Sequence, residues 1–345
     1  MICVKNIYYM LSYAFQILNE QGYKQILTEE FDNVAELCAA ILSKGVALQI
    51  KRGLGKEYLL DSDSLSTLKG RIDISTSIKE QSLTKRQLVC SYDEFSVDSY
   101  MNRIIKTTME LLLHSDISKI RKKDIRKLLV YFTEVSSLEI NSINWKLQFN
   151  KNNQTYQMLI SICYLIIKGL LQTKTDGTTK LMDFLDEQRM SRLYEKFILE
   201  YYRKEHKELD VSSSQIPWNL DDNESSMLPI MQSDIMLHSK NKTLIIDAKY
   251  YSRSMQVQYD VHTIRSNHLY QIYAYVKNYD KNKSGNVIGL LLYAKTDEEI
   301  IPHNIYKMDG NTIMIDTLDL NCDFNSIRQQ LDLIVETYLQ KLESK

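Results

Sequence analysis

Residues 233–251, SDIMLHSKNKTLIIDAKYY, decide the fold. Two apolar arms, 234–238 and 243–249, flank the polar turn Ser239-Lys240-Asn241-Lys242, the pattern of a β-hairpin. The second arm carries an uninterrupted Leu244-Ile245-Ile246, as a strand covered on both faces requires. Its end then changes character, because Asp247, Ala248 and Lys249 set two charges at the tip of a buried strand. Alternation sends Asp247 and Lys249 to the same face, and Asp234 on the neighbouring arm can reach that face too. Such a trio has a chemical logic. Carboxylate oxygens hold a hard divalent cation, with water in the open positions. The cation acidifies a bound water and offsets charge building on a phosphate. The lysine orients that water and adds positive charge beside the phosphate. The same residues can equally form a buried Asp–Lys ion pair with no chemistry, and the hairpin alone leaves both readings open.

Downstream, the chain turns basic and polar around Arg253, Arg265 and His268, a loop suited to DNA contact or to closure over the centre. Residues 266–279 are predicted helical, with Leu269, Ile272, Tyr273 and Val276 on one face and Gln271 and Tyr275 as i,i+4 neighbours on another. VIGLLLYA at 287–294 is a second buried strand. Strand, helix and strand in this order predict a βαβ unit, with parallel strands and a right-handed crossover. One or two further strands fall within 301–318, and an amphipathic helix covers 325–342. Upstream, 190–206 predicts a helix burying Leu193, Phe197, Ile198 and Tyr201. Glu195 on that helix either reaches the metal or pairs at the surface with Arg192 or Lys196. Residues 210–226 read as a polar, irregular excursion around Trp218.

The first half is less distinctive. Helices are predicted over 5–20 and 31–44, with Tyr8, Tyr9 and Tyr13 serving packing rather than base stacking. VALQIKRGLGKEYLL at 46–60 reads as a hairpin arm with a glycine-bearing bend, and its Lys51, Arg52 and Lys56 suit partner contact as well as a plain structural hairpin. Gly55-Lys56 is not a phosphate loop, since that motif needs four residues between its glycines and Ser or Thr after the lysine. No nucleotide site is therefore expected on this chain. Strands are expected at 68–74 and 86–92, and a helix over 98–114 with Asp98 as its cap. A basic helix begins at Lys119; its Lys119, Arg121, Lys122, Lys123, Arg126 and Lys127 either meet DNA phosphates or merely solvate a face. Another apolar helix covers 156–171, and the polar stretch 173–180 is the natural domain boundary.

The totals set outer limits. A chain of 345 residues suggests two domains, and 44% hydrophobic with 25% charged residues fits a globular protein with ample core. Three prolines and ten glycines argue against long disordered linkers. With a formal net charge of −1, any nucleic-acid contact must come from local patches. Cys3, Cys38, Cys90, Cys163 and Cys322 are odd in number and lack metal spacing, as for reduced thiols in a cytoplasmic protein without a zinc site. No signal peptide or membrane span is recognisable.

The order acid, hairpin, Asp-x-Lys, then Gln-x-x-x-Tyr on the next helix resembles the PD-(D/E)xK nuclease superfamily, in particular its RecB-like branch. Asp234, Asp247-Ala248-Lys249 and Gln271…Tyr275 carry the match, with Ser233 where the superfamily has proline. The likeness extends along the chain through KNIYYMLSYAF (5–15), LKGRIDI (68–74), NRIIKTT (102–108), LIIDAKYY (244–251) and NHLYQIYAYV (267–276), which are similar to the McrC family. That resemblance implies an α/β protein with an α+β N-terminal docking domain over 1–175 and a PD-(D/E)xK nuclease domain over 176–345. It implies Mg²⁺-dependent cleavage of double-stranded DNA, modified at cytosine, in complex with a McrB-like AAA+ GTPase hexamer. GTP stays on the partner, whose hydrolysis the chain stimulates through a projection into the ring. The implied metal ligands are Asp234, Asp247 and the Ala248 carbonyl, with Glu195 as a further candidate that the family pattern does not secure. Lys249 would assist the water, and Gln271 and Tyr275 would orient the DNA or the lysine. The alternative is a catalytically silent interaction subunit that only activates the GTPase.

Overall fold

The computed structural model describes residues 4–15, 18, 23, 26, 29, 31, 33–150, 153–176, 187–222, 224–251, 255–258, 261–295 and 301–340. Its contacts divide the chain into two units, Met1–Val34 with Lys180–Lys345, and Ala35–Thr179. One division, between Thr179 and Lys180, falls within the polar stretch 173–180. The other returns the first 34 residues to the C-terminal unit. Helix α1 (Val4–Ala14) shows why. Asn6 donates from Nδ2 to the Leu320 and Cys322 carbonyls at 2.9 and 2.7 Å, Tyr9 stacks on Phe324 at 4.2 Å, and the Tyr13 hydroxyl donates to Glu205 at 2.7 Å. Tyr8 and Tyr13 are buried, so these tyrosines serve packing. Of the residues expected to prolong this helix, 16, 17, 19 and 20 lie outside the described residues.

The second unit opens with α2 (Val34–Arg52) and continues through β1 (Glu57–Leu65), β2 (Arg71–Ile72), α3 (Ile74–Lys79), β3 (Leu88–Ser96), α4 (Tyr100–Leu113), α5 (Lys119–Leu129) and α6 (Gln154–Asp176). The hairpin arm expected over 46–60 is corrected here. Residues 46–52 extend α2, and only from Glu57 does the chain become a strand. Val46, Leu48 and Ile50 alternate, but Leu42, Val46 and Ile50 also repeat at helical spacing, and burial of Leu42 and Val46 selects the helix. Gly53 stops it. At φ +97° it donates to the Ile50 carbonyl at 3.1 Å, a left-handed C-cap rather than a hairpin bend. β1 instead pairs antiparallel with β3 across the chain from 57 to 96, in a three-stranded sheet ordered β1-β3-β2. Asp73 also departs from its expected strand, capping α3 through a hydrogen bond from the Thr76 amide at 3.0 Å. Ser99, not Asp98, caps α4; Asp98 is taken by a bidentate contact to Arg103 and by the Ser136 amide and hydroxyl.

The C-terminal unit holds α7 (Glu187–Glu205), β4 (Asp210–Ser212), β5 (Gln215–Ile216), β6 (Met231–Gln232), β7 (Ile235–Ser239), β8 (Lys242–Lys249), β9 (Met255–Gln258), β10 (Val261–Ile264), α8 (Ser266–Tyr279), β11 (Val287–Ala294), β12 (Asn304–Met308), β13 (Asn311–Leu318) and α9 (Phe324–Val335). A six-stranded sheet runs β12-β13-β11-β8-β7-β4. β7 and β8 form the expected antiparallel hairpin, and β8, β11 and β13 are parallel. The chain is thus a mixed α/β protein. Met236, Ile245, Leu291, Tyr293, Ile313 and Ile315 face α8, whose Ile272, Tyr275 and Val276 close that core. Gly289 of β11 makes the fit possible, because a Cβ there would stand 2.8 Å from both Ile272 Cγ1 and Val276 Cγ2. Among the described residues no helix is long and apolar enough to cross a membrane.

Candidate active site

The register of the hairpin builds the site. Ile235 lies opposite Ile246, so Asp234, one residue before β7, comes alongside Asp247. Asp234 Oδ2 accepts the Ala248 N–H at 2.9 Å, pinning the acid to the strand end. Asp247 is 1% exposed, and the polar side chains against its carboxylate are Lys249 and Asp234. Lys249 Nζ stands 2.8 Å from Asp247 Oδ2, a buried ion pair. The same ammonium donates to Gln271 Oε1 at 3.1 Å, and Gln271 Nε2 donates to the Tyr275 hydroxyl at 2.8 Å. Five of the residues singled out in the sequence therefore form one chain of contacts, Asp234 and Asp247 at one end and Tyr275 at the other.

Charge explains why such a cluster is unusual. Burial, the neighbouring Asp247 and then Glu195 push the Asp234 carboxyl up to about 8. Burial also raises Asp247, against the pull of Lys249. Burial acts to lower Lys249, but the two acids overcome it and leave the ammonium more basic than usual. Two buried acids share one lysine, and at neutral pH they need a proton or a second positive charge. A hard divalent cation fits that need, since two adjacent buried carboxylates facing a single ammonium are the ligand type it takes. Among the described residues no three His, Cys, Asp or Glu side chains converge closely enough to hold an ion by themselves. Glu195 lies within electrostatic range of Asp234, and its Oε1 accepts the Ser191 hydroxyl at 2.9 Å.

A wall beside Lys249 was not foreseen. Tyr293 of β11 is the register partner of Lys249, and its hydroxyl meets His268 Nδ1 at 2.8 Å. His268 stacks on Tyr251 with ring centres 5.1 Å apart, and the Arg265 guanidinium lies 5.0 Å over the other ring, Tyr251. Burial, Lys249 and Arg265 bring the His268 pKa down to about 4, so the imidazole is neutral. The signal available in the sequence was positional: once 244–249 and 287–294 are taken as parallel neighbours, Tyr293 can fall opposite Lys249. The basic segment after Tyr251 includes β9 and β10, paired as a hairpin; Arg253 lies outside the described residues.

The chain is similar in sequence to known proteins. A family model described as McrBC 5-methylcytosine restriction system component matches residues 4–294. A protein of Escherichia coli (strain K12), described as type IV methyl-directed restriction enzyme EcoKMcrBC, is 30% identical over 345 residues, spanning 98% of this chain and 99% of that protein. Two solved structures from Thermococcus gammatolerans are also similar. One, a refined half-complex from a tetradecameric assembly of McrB AAA+ hexamers with bound McrC, aligns at TM-score 0.47 and 15% identity over 93% of this chain and 75% of that one. The other, a cryo-EM structure of the McrBC complex, aligns at TM-score 0.40 and 16% identity over 58% of each chain. The extent of the family match and of the bacterial relative shows that the chain belongs to the McrBC 5-methylcytosine restriction system component family.

Proposed function

We propose that this chain is the DNA-cleaving subunit of a McrBC-type restriction system. It hydrolyses phosphodiester bonds in double-stranded DNA modified at cytosine, with Mg²⁺, in complex with a McrB-like AAA+ GTPase hexamer whose GTP hydrolysis it stimulates. The observation that carries this reading is the convergence of Asp234, Asp247 and Lys249 at one buried strand end, two acids against a single ammonium. Asp234 and Asp247 would hold Mg²⁺ with the Ala248 carbonyl, and Glu195 adds negative charge from further out. When bound, the ion supplies acidity to water and charge neutralisation to the phosphate. The chain's own residues do the rest. Lys249 faces the attacking water from a position fixed on one side by Asp247 and on the other by Gln271. Tyr275 fixes Gln271 in turn, so the amide presents its oxygen, not its nitrogen, to the lysine. His268 stays neutral beside Lys249 and Arg265, so it adds no further positive charge there.

The family description, with its 5-methylcytosine, supports the substrate, and on this reading the chain works in the cytoplasm. The partner would dock on the second unit, where Tyr58 and Phe95 lie 4.9 Å apart and exposed on β1 and β3. The test is plasmid cleavage by the chain with its GTPase partner, GTP and Mg²⁺. Asp247→Ala and Lys249→Ala are expected to lower the cleavage rate at least about a thousandfold, as loss of the central electrostatic groups does, while GTPase stimulation stays at the wild-type level. Cleavage at the wild-type rate by either variant would remove the site assignment. A wild-type chain that stimulates the GTPase but never cuts would instead favour the silent interaction subunit.

A further inference from the structure

We propose that the outward face of α5 is a binding surface for the phosphate backbone of duplex DNA, separate from the nuclease centre. The proposal rests on the reading of DNA as the substrate. Helix α5 is held by its inner side. Ile125 and, just past the helix, Phe132 are fully buried, and Ser118 caps the first turn. Glu36, the acid at the base of the helix, is occupied by the Ser118 hydroxyl at 2.7 Å and by Arg121 at 3.4 Å. That anchoring leaves Lys119, Lys123 and Arg126 exposed in one row, at i, i+4 and i+7, with no anionic partner among the described residues. Lys127, paired only with exposed Asp124 at 3.3 Å, borders the row. The helical rise spaces the three about 6 and 10 Å along the axis. A row of fixed cations at that pitch suits a DNA strand, whose charges recur regularly along the helix.

Solvation alone does not explain the face. Ile120, Val130 and Tyr131 border the same cations and are 72%, 67% and 62% exposed. Large apolar side chains are not needed to keep a lysine-rich helix in water; between phosphates they can pack on sugars, and Tyr131 adds a hydroxyl donor. DNA is favoured over a protein partner by charge. Six of the eleven α5 residues are basic and one is acidic, in a chain of formal net charge −1. Exposed Tyr58 and Phe95 on β1 and β3 have no such bias, since Lys56 stands there with Glu57, Asp93 and Glu94.

The experiment is fluorescence anisotropy of a labelled 30-base-pair unmodified duplex with the full-length chain in EDTA, across a series of salt concentrations. EDTA keeps the measurement independent of cleavage, so it reads α5 whether or not the Asp234–Asp247–Lys249 centre cuts. Lys119→Glu, Lys123→Glu and Arg126→Glu combined are expected to weaken binding at least about tenfold at low salt and to reduce the log–log salt slope by about 2 to 3. A variant of equal charge change, Lys207→Glu, Lys240→Glu and Lys281→Glu, should keep the wild-type slope. If the triple reversal does not fold by circular dichroism, the triple glutamine variant gives the same slope change. Wild-type protein that does not bind the duplex, an unchanged slope in the α5 variant, or an equal loss in the control overturns the proposal. So does an α5 variant that binds DNA normally but loses its GTPase partner on gel filtration, which would assign the face to that protein.

Discussion

At the residue scale the site is a problem of one proton too many or one cation too few. Asp234 is held near 8 by burial first, then by Asp247 and Glu195. In the unfolded chain the same carboxyl titrates near about 4. Between those values the folded chain keeps a proton that the unfolded chain has released, so metal-free stability must fall as pH rises through that window. Asp247 is shifted in the same direction and adds to the slope. Thermal unfolding in EDTA is therefore expected to show a melting temperature that declines from pH 5 to pH 8, and Asp234→Asn should flatten the decline. Adding Mg²⁺ at pH 8 should restore the wild-type melting temperature and leave that of Asp234→Asn nearly unmoved. A flat wild-type profile in EDTA would contradict the picture of two buried acids competing for Lys249.

At the element scale, the parts that could be read from the sequence were those in which burial and periodicity agree. β8, α8 and β11 were found almost to the residue because LIIDAK and VIGLLLYA are covered on both faces and the helix between them has one apolar stripe. Two-residue alternation pairs Asp247 with Lys249, an i,i+4 step pairs Gln271 with Tyr275, and packing of α8 against β8 joins the two pairs. Residues 46–52 were misread because their apolar residues satisfy both a strand and a helix pattern, and only the burial of Leu42 and Val46 breaks the tie. Asp73 sat in an apparent strand that is interrupted by its own cap, and the His268–Tyr293 contact joins residues 25 apart that no local pattern links. Gly289 is a place where the packing of these elements can be tested. Gly289→Val would press a side chain into Ile272 and Val276, at about 1 to 3 kcal/mol for overpacking. The expected result is a melting temperature lower by roughly 5 °C and slower cleavage, because α8 carries Gln271 and Tyr275. Unfolding at the wild-type temperature would mean that α8 does not sit on β11 this closely.

At the scale of the whole molecule, the two units carry different physical chemistry. The C-terminal unit, together with the first 34 residues, concentrates buried charge at a strand end. The other unit exposes apolar side chains on a small sheet, where Lys56 also lies 5.5 Å over the Phe95 ring. On the proposed function, the buried charge serves the chemistry and the aromatic rings kept in water serve association. If the labour is divided this way, damage should separate cleanly. Tyr58→Asp with Phe95→Asp leaves the backbone pairing of β1 with β3 in place while putting two charges on the docking face. Loss of two aromatic anchors is expected to reduce GTPase stimulation by about thirtyfold or more, and to remove GTP-dependent cleavage with it. Asp247→Ala should give the opposite pattern, full stimulation with no cutting. The Tyr58/Phe95 variant should also keep the pH-dependent melting that reports the Asp234–Asp247 pair, since those acids lie in the other unit. Stimulation within twofold of wild type would move the docking surface elsewhere. Loss of the pH-dependent melting in the same variant would mean that the two units do not act as separable parts.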